Sequence, residues 1–273
     1  MHRIARSLCA TALLCACVTP PGAAGSAAPP PAVVAQLAPT GKLRAAINYG
    51  NPVLAFKDAA TGEPRGVSVD LARELARRLG VPLEMVFYTA AGKVTEGART
   101  GEWDIAFVAI DPARAVDMDY SAGYVVIEGV YLVPQDSPIR ANADVDRDGV
   151  RVAAARGSAY DLFLQRELTR AKIVPAPTSA AVVDTMVAQR LEVAAGVKQQ
   201  LEADAKRVLG LRLLDGRFMV INQAMATPKG RPEGARYLAA FVEEMKSSGF
   251  VADGLKRSGV EGAAVAPPAG TAR

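Results

Sequence analysis

From Leu43 onward the chain alternates short apolar runs with amphipathic stretches, and it does so in two cycles. Leu43–Asn48 reads as a strand. Val69–Leu79 reads as a helix, because Leu71, Ala72, Leu75 and Leu79 share one face and Gly80 stops it. A strand (Leu83–Phe87), a short helix (Lys93–Arg99), a strand (Asp104–Ala109) and an extended run (Gly129–Val133) follow. A polar interlude, 135–148, rich in Asp and Arg, separates this cycle from the next. The second cycle runs strand Val150–Ala155, helices Ala159–Thr169 and Ala180–Arg190, strand Val193–Val197 and helix Gln199–Arg207. Extended pieces at Arg212–Leu214 and Met219–Ala226 lead to closing helices at Gly234–Ser247 and Val251–Ser258. Such alternation specifies α/β architecture, with mostly parallel sheets flanked by helices.

The most informative segment is Gly101–Tyr124. A short turn feeds Ile105–Ile110, an uncharged run that fits a strand buried on both faces. Asp111 and Pro112 then read as a helix start, and Arg114 stands just behind them. An arginine at the end of a buried strand suits the capture of a carboxylate, since its planar fork gives two parallel hydrogen bonds and keeps its charge. The plain alternative is a surface ion pair.

The ends bound the setting. Met1–Arg6 is basic, Leu8–Val18 is apolar, and a Pro/Ala/Gly stretch follows, which describes an export signal over residues 1–24. Leu14-Cys15-Ala16-Cys17 resembles a lipobox, so cleavage after residue 16 with a lipid on Cys17 is the other route. The apolar run is too short to span a bilayer. All three cysteines and the single histidine lie in residues 1–17. The body therefore excludes a disulfide, a thiol nucleophile, a Ser-His-Asp triad and an ordinary zinc site, and no metal or cofactor is expected. The net charge of +4 is scattered rather than striped, which argues against nucleic acid and mildly favours an anionic small ligand. Residues 25–40 and 261–273 read as an unstructured leader and tail.

Several motifs together resemble the solute-binding proteins of bacterial ABC importers, the extracellular family 3 that includes polar-amino-acid receptors. Asn51-Pro52-Val53-Leu54-Ala55-Phe56 is similar to that family's Pro-Pro-Phe-x-Phe segment. Gly66-Val67-Ser68-Val69-Asp70-Leu71-Ala72 is similar to its Gly-Phe-Asp-Val-Asp-Leu-Ala. Gly101-Glu102-Trp103-Asp104, then Arg114 with Asp119-Tyr120-Ser121, and Val152–Ser158 with Gly157-Ser158, complete the set over roughly 41–259. The resemblance implies a type II periplasmic binding fold of two lobes joined by two crossovers, near Val130–Pro134 and Met219–Ala226. Lobe 1 would take 41–131 and 222–260, and lobe 2 would take 132–221. It implies a monomer that traps a small anionic or zwitterionic solute in the periplasm and passes it to a membrane permease, without catalysis.

On that resemblance Arg114 matches the arginine that takes the ligand carboxylate. Gly157 and Ser158 would offer amides and a hydroxyl at a helix mouth, with helix capping the simpler role. Asn51 stands where an aromatic residue often stacks on the ligand, and Tyr160 is a candidate cleft residue. Asp70 and Asp119 read as structural, and Trp103 as core. The family's acid for the ligand ammonium should fall near Gly196-Val197-Lys198, yet Lys198 is basic and the nearest acid on that strand is Glu192. This points to a carboxylate without a paired amine. Cyclohexadienyl dehydratases use the same fold, so an enzyme is the alternative, with Glu128 and Lys198 as candidate groups. A sensory role, docking on a membrane partner instead of a permease, is a third reading.

Overall fold

A computed structural model describes residues 28–270. The expected export signal, with Cys17, lies outside the described residues, as do 271–273. The chain begins with α1 (Pro31–Leu37), β1 (Leu43–Asn48), β2 (Phe56–Lys57), β3 (Pro64–Arg65), α2 (Val67–Leu79), β4 (Leu83–Tyr88), α3 (Ala91–Thr100) and β5 (Ile105–Ala109). The 17-residue β6 (Met118–Pro134) follows. Then come β7 (Arg151–Ala155), α4 (Ala159–Glu167), β8 (Lys172–Ala176), α5 (Val182–Ala188), β9 (Val193–Val197), α6 (Lys198–Arg207) and β10 (Leu211–Leu213). The last elements are β11 (Met219–Pro228), α7 (Pro232–Ser247), α8 (Phe250–Arg257) and β12 (Ala264–Val265).

The main sheet has the order β4-β1-β5-β11-β6-β9-β7-β8. β4, β1 and β5 are mutually parallel, and so are β9, β7 and β8. Between these trios run β11 and β6, antiparallel to each other and to their outer neighbours. The register fixes how the trios face. Ala109, the end of β5, pairs with Gln223, which pairs with Val125 of β6. Val197, the end of β9, pairs with Gly129 of β6 from the opposite direction. The carboxyl ends of both trios therefore meet across residues 125–129 of β6, where open α/β sheets place their ligands. This passage lies upstream of the expected 130–134, because β9 already pairs with Gly129–Leu132.

β5 is buried along its whole length, as its uncharged sequence requires. α2 starts at Gly66 (φ +116), where a Cβ would sit 2.3 Å from the carbonyl oxygen of Leu54, and ends at left-handed Gly80. Three expectations need correction, and one strand is new. The stretch 25–40 is not wholly an unstructured leader: Pro31 opens α1, and Val33 and Leu37 are buried against α7. The 261–273 tail supplies β12, which pairs with Val125 and Val126, and Ala266 is buried. Asp111-Pro112 begins a turn and no helix: Arg114 and Ala115 both donate to the Asp111 carbonyl, and the chain then enters β6. β8 was not anticipated. Pro175 hides it in the sequence, and its edge position tolerates a missing amide hydrogen.

Asp104 is the polar anchor of this half. Fully buried, it accepts from the Arg44 backbone amide at 3.1 Å, Nε at 3.0 Å and Nη2 at 2.9 Å, and from Arg231 Nη1 at 3.0 Å. Its own carbonyl accepts from Thr227 Oγ1 at 3.0 Å. It thus ties β1, β11 and the start of α7 to the foot of β5. Asp104→Ala is expected to cost about 3–5 kcal/mol in urea unfolding, because two guanidinium groups lose a buried partner. Asp148→Ala, which breaks the exposed pair with Arg170 at 2.9 Å, should stay within about 1 kcal/mol.

Several carboxylates are held below their usual range. Arg77, then Arg78, hold Glu74 at about 2. Backbone amides of Ala171, Arg170 and Thr169 lower Asp146, and Arg151 lowers Glu192. Depressed folded values stabilise above the ordinary carboxylate range and lose that effect as pH falls through them. The melting temperature should hold from about pH 7 to 5 and fall steeply between about pH 4 and 2. A flat profile down to pH 2 would contradict this.

Candidate ligand-binding site

Where the two trios meet, the structure encloses a cavity of about 40 Å³ lined from both sides. Asn48, Asn51, Ser68, Phe107, Ala109 and Arg114 come from the first half. Ser158, Tyr160, Ser179 and Val197 come from the second, and Ile221 and Gln223 project from β11.

Arg114 dominates this space. It is 2% exposed, yet among the described residues it makes no ion pair. Nη1 donates to the Ala109 carbonyl at 3.0 Å, and Nη2 donates to the Gly157 carbonyl at 2.7 Å. Nε is buried without a partner. A guanidinium has five N–H donors, so most of this one's capacity is open. Burial pushes its pKa down from the ordinary value, while Tyr120 and Asp111 oppose the shift. The group still stays charged at neutral pH. Asp111 does not neutralise it at contact distance, because its own carboxylate takes the Ala113 amide at 2.9 Å and Arg166 of α4 at 3.0 Å. Tyr120, pushed up to about 12 by burial, remains neutral.

The second half builds a helix mouth. Ser158 caps α4, its Oγ accepting from the Asp161 amide at 3.0 Å. Asp161 reaches back to accept from the Gly157 amide at 2.7 Å. That bond corrects the expectation for Gly157: its amide faces Asp161 and is closed to an anion, while its carbonyl faces Arg114. Gly157 (φ +68) also abuts Gly92 at the start of α3, where a Cβ on Gly157 would sit 2.9 Å from the Gly92 Cα. Tyr160 is buried and donates to Ser179 Oγ at 3.1 Å. Burial raises its pKa.

Asn51 lines the cavity, and its Oδ1 is buried with no partner. Lys198 does not line it. At the first position of α6 its side chain points to Glu128, 3.6 Å away, and is 40% exposed. Glu128 also takes Arg217 at 2.7 Å, and Arg217 and Lys198 together hold its carboxyl below the usual range. Neither of the residues considered for catalysis reaches the cavity.

Sequence reasoning missed Asn48, Ser68, Ser179 and Gln223. The Ser68 hydroxyl lies 2.9 Å from Tyr124 OH, and Asn48 Oδ1 accepts from the Gly50 amide at 2.9 Å. Gln223 had a signal, being polar, with Asn222, within the otherwise apolar Ile221–Ala226 run. It is 5% exposed and sits beside a β-bulge, where Ser121 Oγ accepts from the Met225 amide at 3.0 Å. Bulges of this kind re-aim side chains next to sites. Among the described residues, no group of His, Cys, Asp and Glu is arranged to hold a metal, and no helix is long and apolar enough to cross a membrane.

Two α/β halves, strand ends facing, with a buried cation in the cleft, define a two-lobed solute-binding protein. The profile of the bacterial extracellular solute-binding proteins, family 3, matches residues 43–257, and the chain belongs to that family. Membership goes with a periplasmic or secreted protein. Among solved structures, the solute receptor for L-cysteine of Neisseria gonorrhoeae is similar (TM-score 0.71, 22% identity, 82% of this chain and 92% of that chain). A binding component of an ABC transporter from Wolinella succinogenes, complexed with lysine, is similar at TM-score 0.67 and 23% identity (80% and 95% covered). So is the ancestral amino acid-binding protein AncCDT-1, a precursor of cyclohexadienyl dehydratase, at TM-score 0.67 and 26% identity (82% and 97% covered). No match is found among the curated proteins.

The close approach of Gly92 and Gly157 gives a test of closure. Gly157→Ala adds about 1–2 kcal/mol of backbone strain and forces the halves apart, so solute affinity should fall about tenfold or more. Gly149→Ala (φ +85) carries similar strain with nothing within 4 Å, and should lower stability while sparing affinity in the same calorimetric titration.

Proposed function

We propose that this protein captures a small solute bearing a carboxylate between its two halves and hands it to the permease of an ABC importer. The observation that carries this reading is Arg114, a buried cation with no ion pair and open donors, sited where the carboxyl ends of both strand sets meet. A carboxylate is the partner its fork fits. Relatives described as bound to lysine or receiving L-cysteine handle solutes that share this group. Export through residues 1–24, with or without a lipid on Cys17, fits delivery at a membrane.

Capture suits the site better than turnover. A dehydratase needs a carboxylic acid near the substrate, and among the described residues no Asp or Glu lines the cavity. Glu128 is engaged by Arg217 and Lys198 outside it.

The test is a titration of the purified protein against amino acids, hydroxy acids, keto acids and dicarboxylates, read by melting temperature and calorimetry. At least one should bind with a dissociation constant of about 1 μM or tighter, near −8 kcal/mol. Arg114→Met should weaken that binding by about a hundredfold or more. The same variant should cost the free protein less than about 2 kcal/mol, because two lost carbonyl contacts are offset by removal of a buried charge. No binding across the panel, or an unaffected Arg114→Met, would defeat the reading.

A further inference from the structure

We infer that the solute is a short carboxylate with no ammonium group, carrying a hydroxyl where an amino acid carries its amine; this rests on the carboxylate-capture reading above. The charge balance of the cavity argues for it. Among the described residues that line it, Arg114 is the one that is charged. The acids nearby are engaged and face elsewhere. Asp111 holds Arg166 at 3.0 Å, Glu128 holds Arg217 at 2.7 Å, and Asp161 takes the Gly157 amide at 2.7 Å. An anion brought to Arg114 leaves a neutral pair in the closed cleft. A zwitterion leaves a second cation there, desolvated and facing no carboxylate, which costs far more than a neutral group in its place.

The neutral polar groups point the same way. Asn51 Oδ1 is buried and unpartnered, so it calls for a donor from the guest. Gln223, buried on β11, adds a second amide to the wall. A hydroxyl satisfies such amides at hydrogen-bond distance without bringing charge. The volume limits the rest of the molecule. At about 40 Å³ the enclosed space is small, so the guest has a short tail. The reason differs from the one Lys198 suggested in the sequence, since Lys198 is outside the cavity. The preference follows instead from what the wall lacks.

The experiment compares matched skeletons by calorimetry on the purified protein: glycolate against glycine, L-lactate against L-alanine, and propionate with neither group. L-lactate is expected to bind at least about tenfold tighter than L-alanine, and also tighter than propionate. Asn51→Ala should lower lactate affinity to that of propionate, with its melting temperature confirming a folded chain. Alanine binding as well as lactate overturns the inference while leaving carboxylate capture in place. Propionate binding as well as lactate overturns the hydroxyl. If none of these five binds but longer amino acids in the broad panel do, the inference fails alone. If nothing in either set binds, both fail.

Discussion

A guanidinium is buried here with no ion-pair partner among the described residues, and the site is organised by that fact. Desolvating a cation is unfavourable, and two backbone carbonyls compensate for it incompletely. Those carbonyls come from opposite halves, Ala109 at the end of β5 and Gly157 in the β7–α4 loop. Arg114 is therefore a strap across the cleft, and in the proposed reading it is also the group that receives the solute carboxylate. A carboxylate arriving at its open donors supplies the missing charge only if both halves remain together. This is the differential contact that shifts a two-lobed protein toward its closed form.

The anchor of the fold and the proposed recognition group are different residues. Asp104 knots β1, α7 and β11 to the foot of β5, with every oxygen engaged. Arg114, at the far end of the same strand, is under-satisfied. One buried strand thus carries a saturated polar anchor at one end and an open one at the other. Local rules are commonly broken at functional sites and compensated elsewhere. The cross-cleft pair of Asp111 and Arg166 shows the contrast in small, because there a charge is matched within the protein and is closed to a guest.

Much of this was legible in the sequence. The alternating pattern exposed both strand cycles, since a parallel sheet buried on two faces leaves uncharged runs such as Ile105–Ala109. Arg114, Ser158, Tyr160 and Asn51 were legible through motif position, and all line the cavity. What failed depended on tertiary geometry. Lys198 follows Val197 directly, yet the start of α6 turns its side chain to Glu128. The Gly157 amide looked open to an anion until Asp161, four residues on, was seen to claim it. Gln223 reaches the cavity through a bulge that no periodicity reveals. α1 and β12 were hidden by Pro/Ala-rich surroundings, where two buried residues, Val33 and Leu37, outweigh a bland composition.

The central claim is that a carboxylate completes the hydrogen bonding of Arg114, whose Nε has no partner among the described residues. The direct measurement is the proton–nitrogen NMR resonance of the Arg114 Nε–H group, assigned by its loss in the Arg114→Met variant and followed through a titration with the tightest-binding acid. The account predicts a large downfield proton shift that saturates with the calorimetric affinity. A resonance that stays in place at saturation, while signals elsewhere move, would show that the solute binds without this arginine.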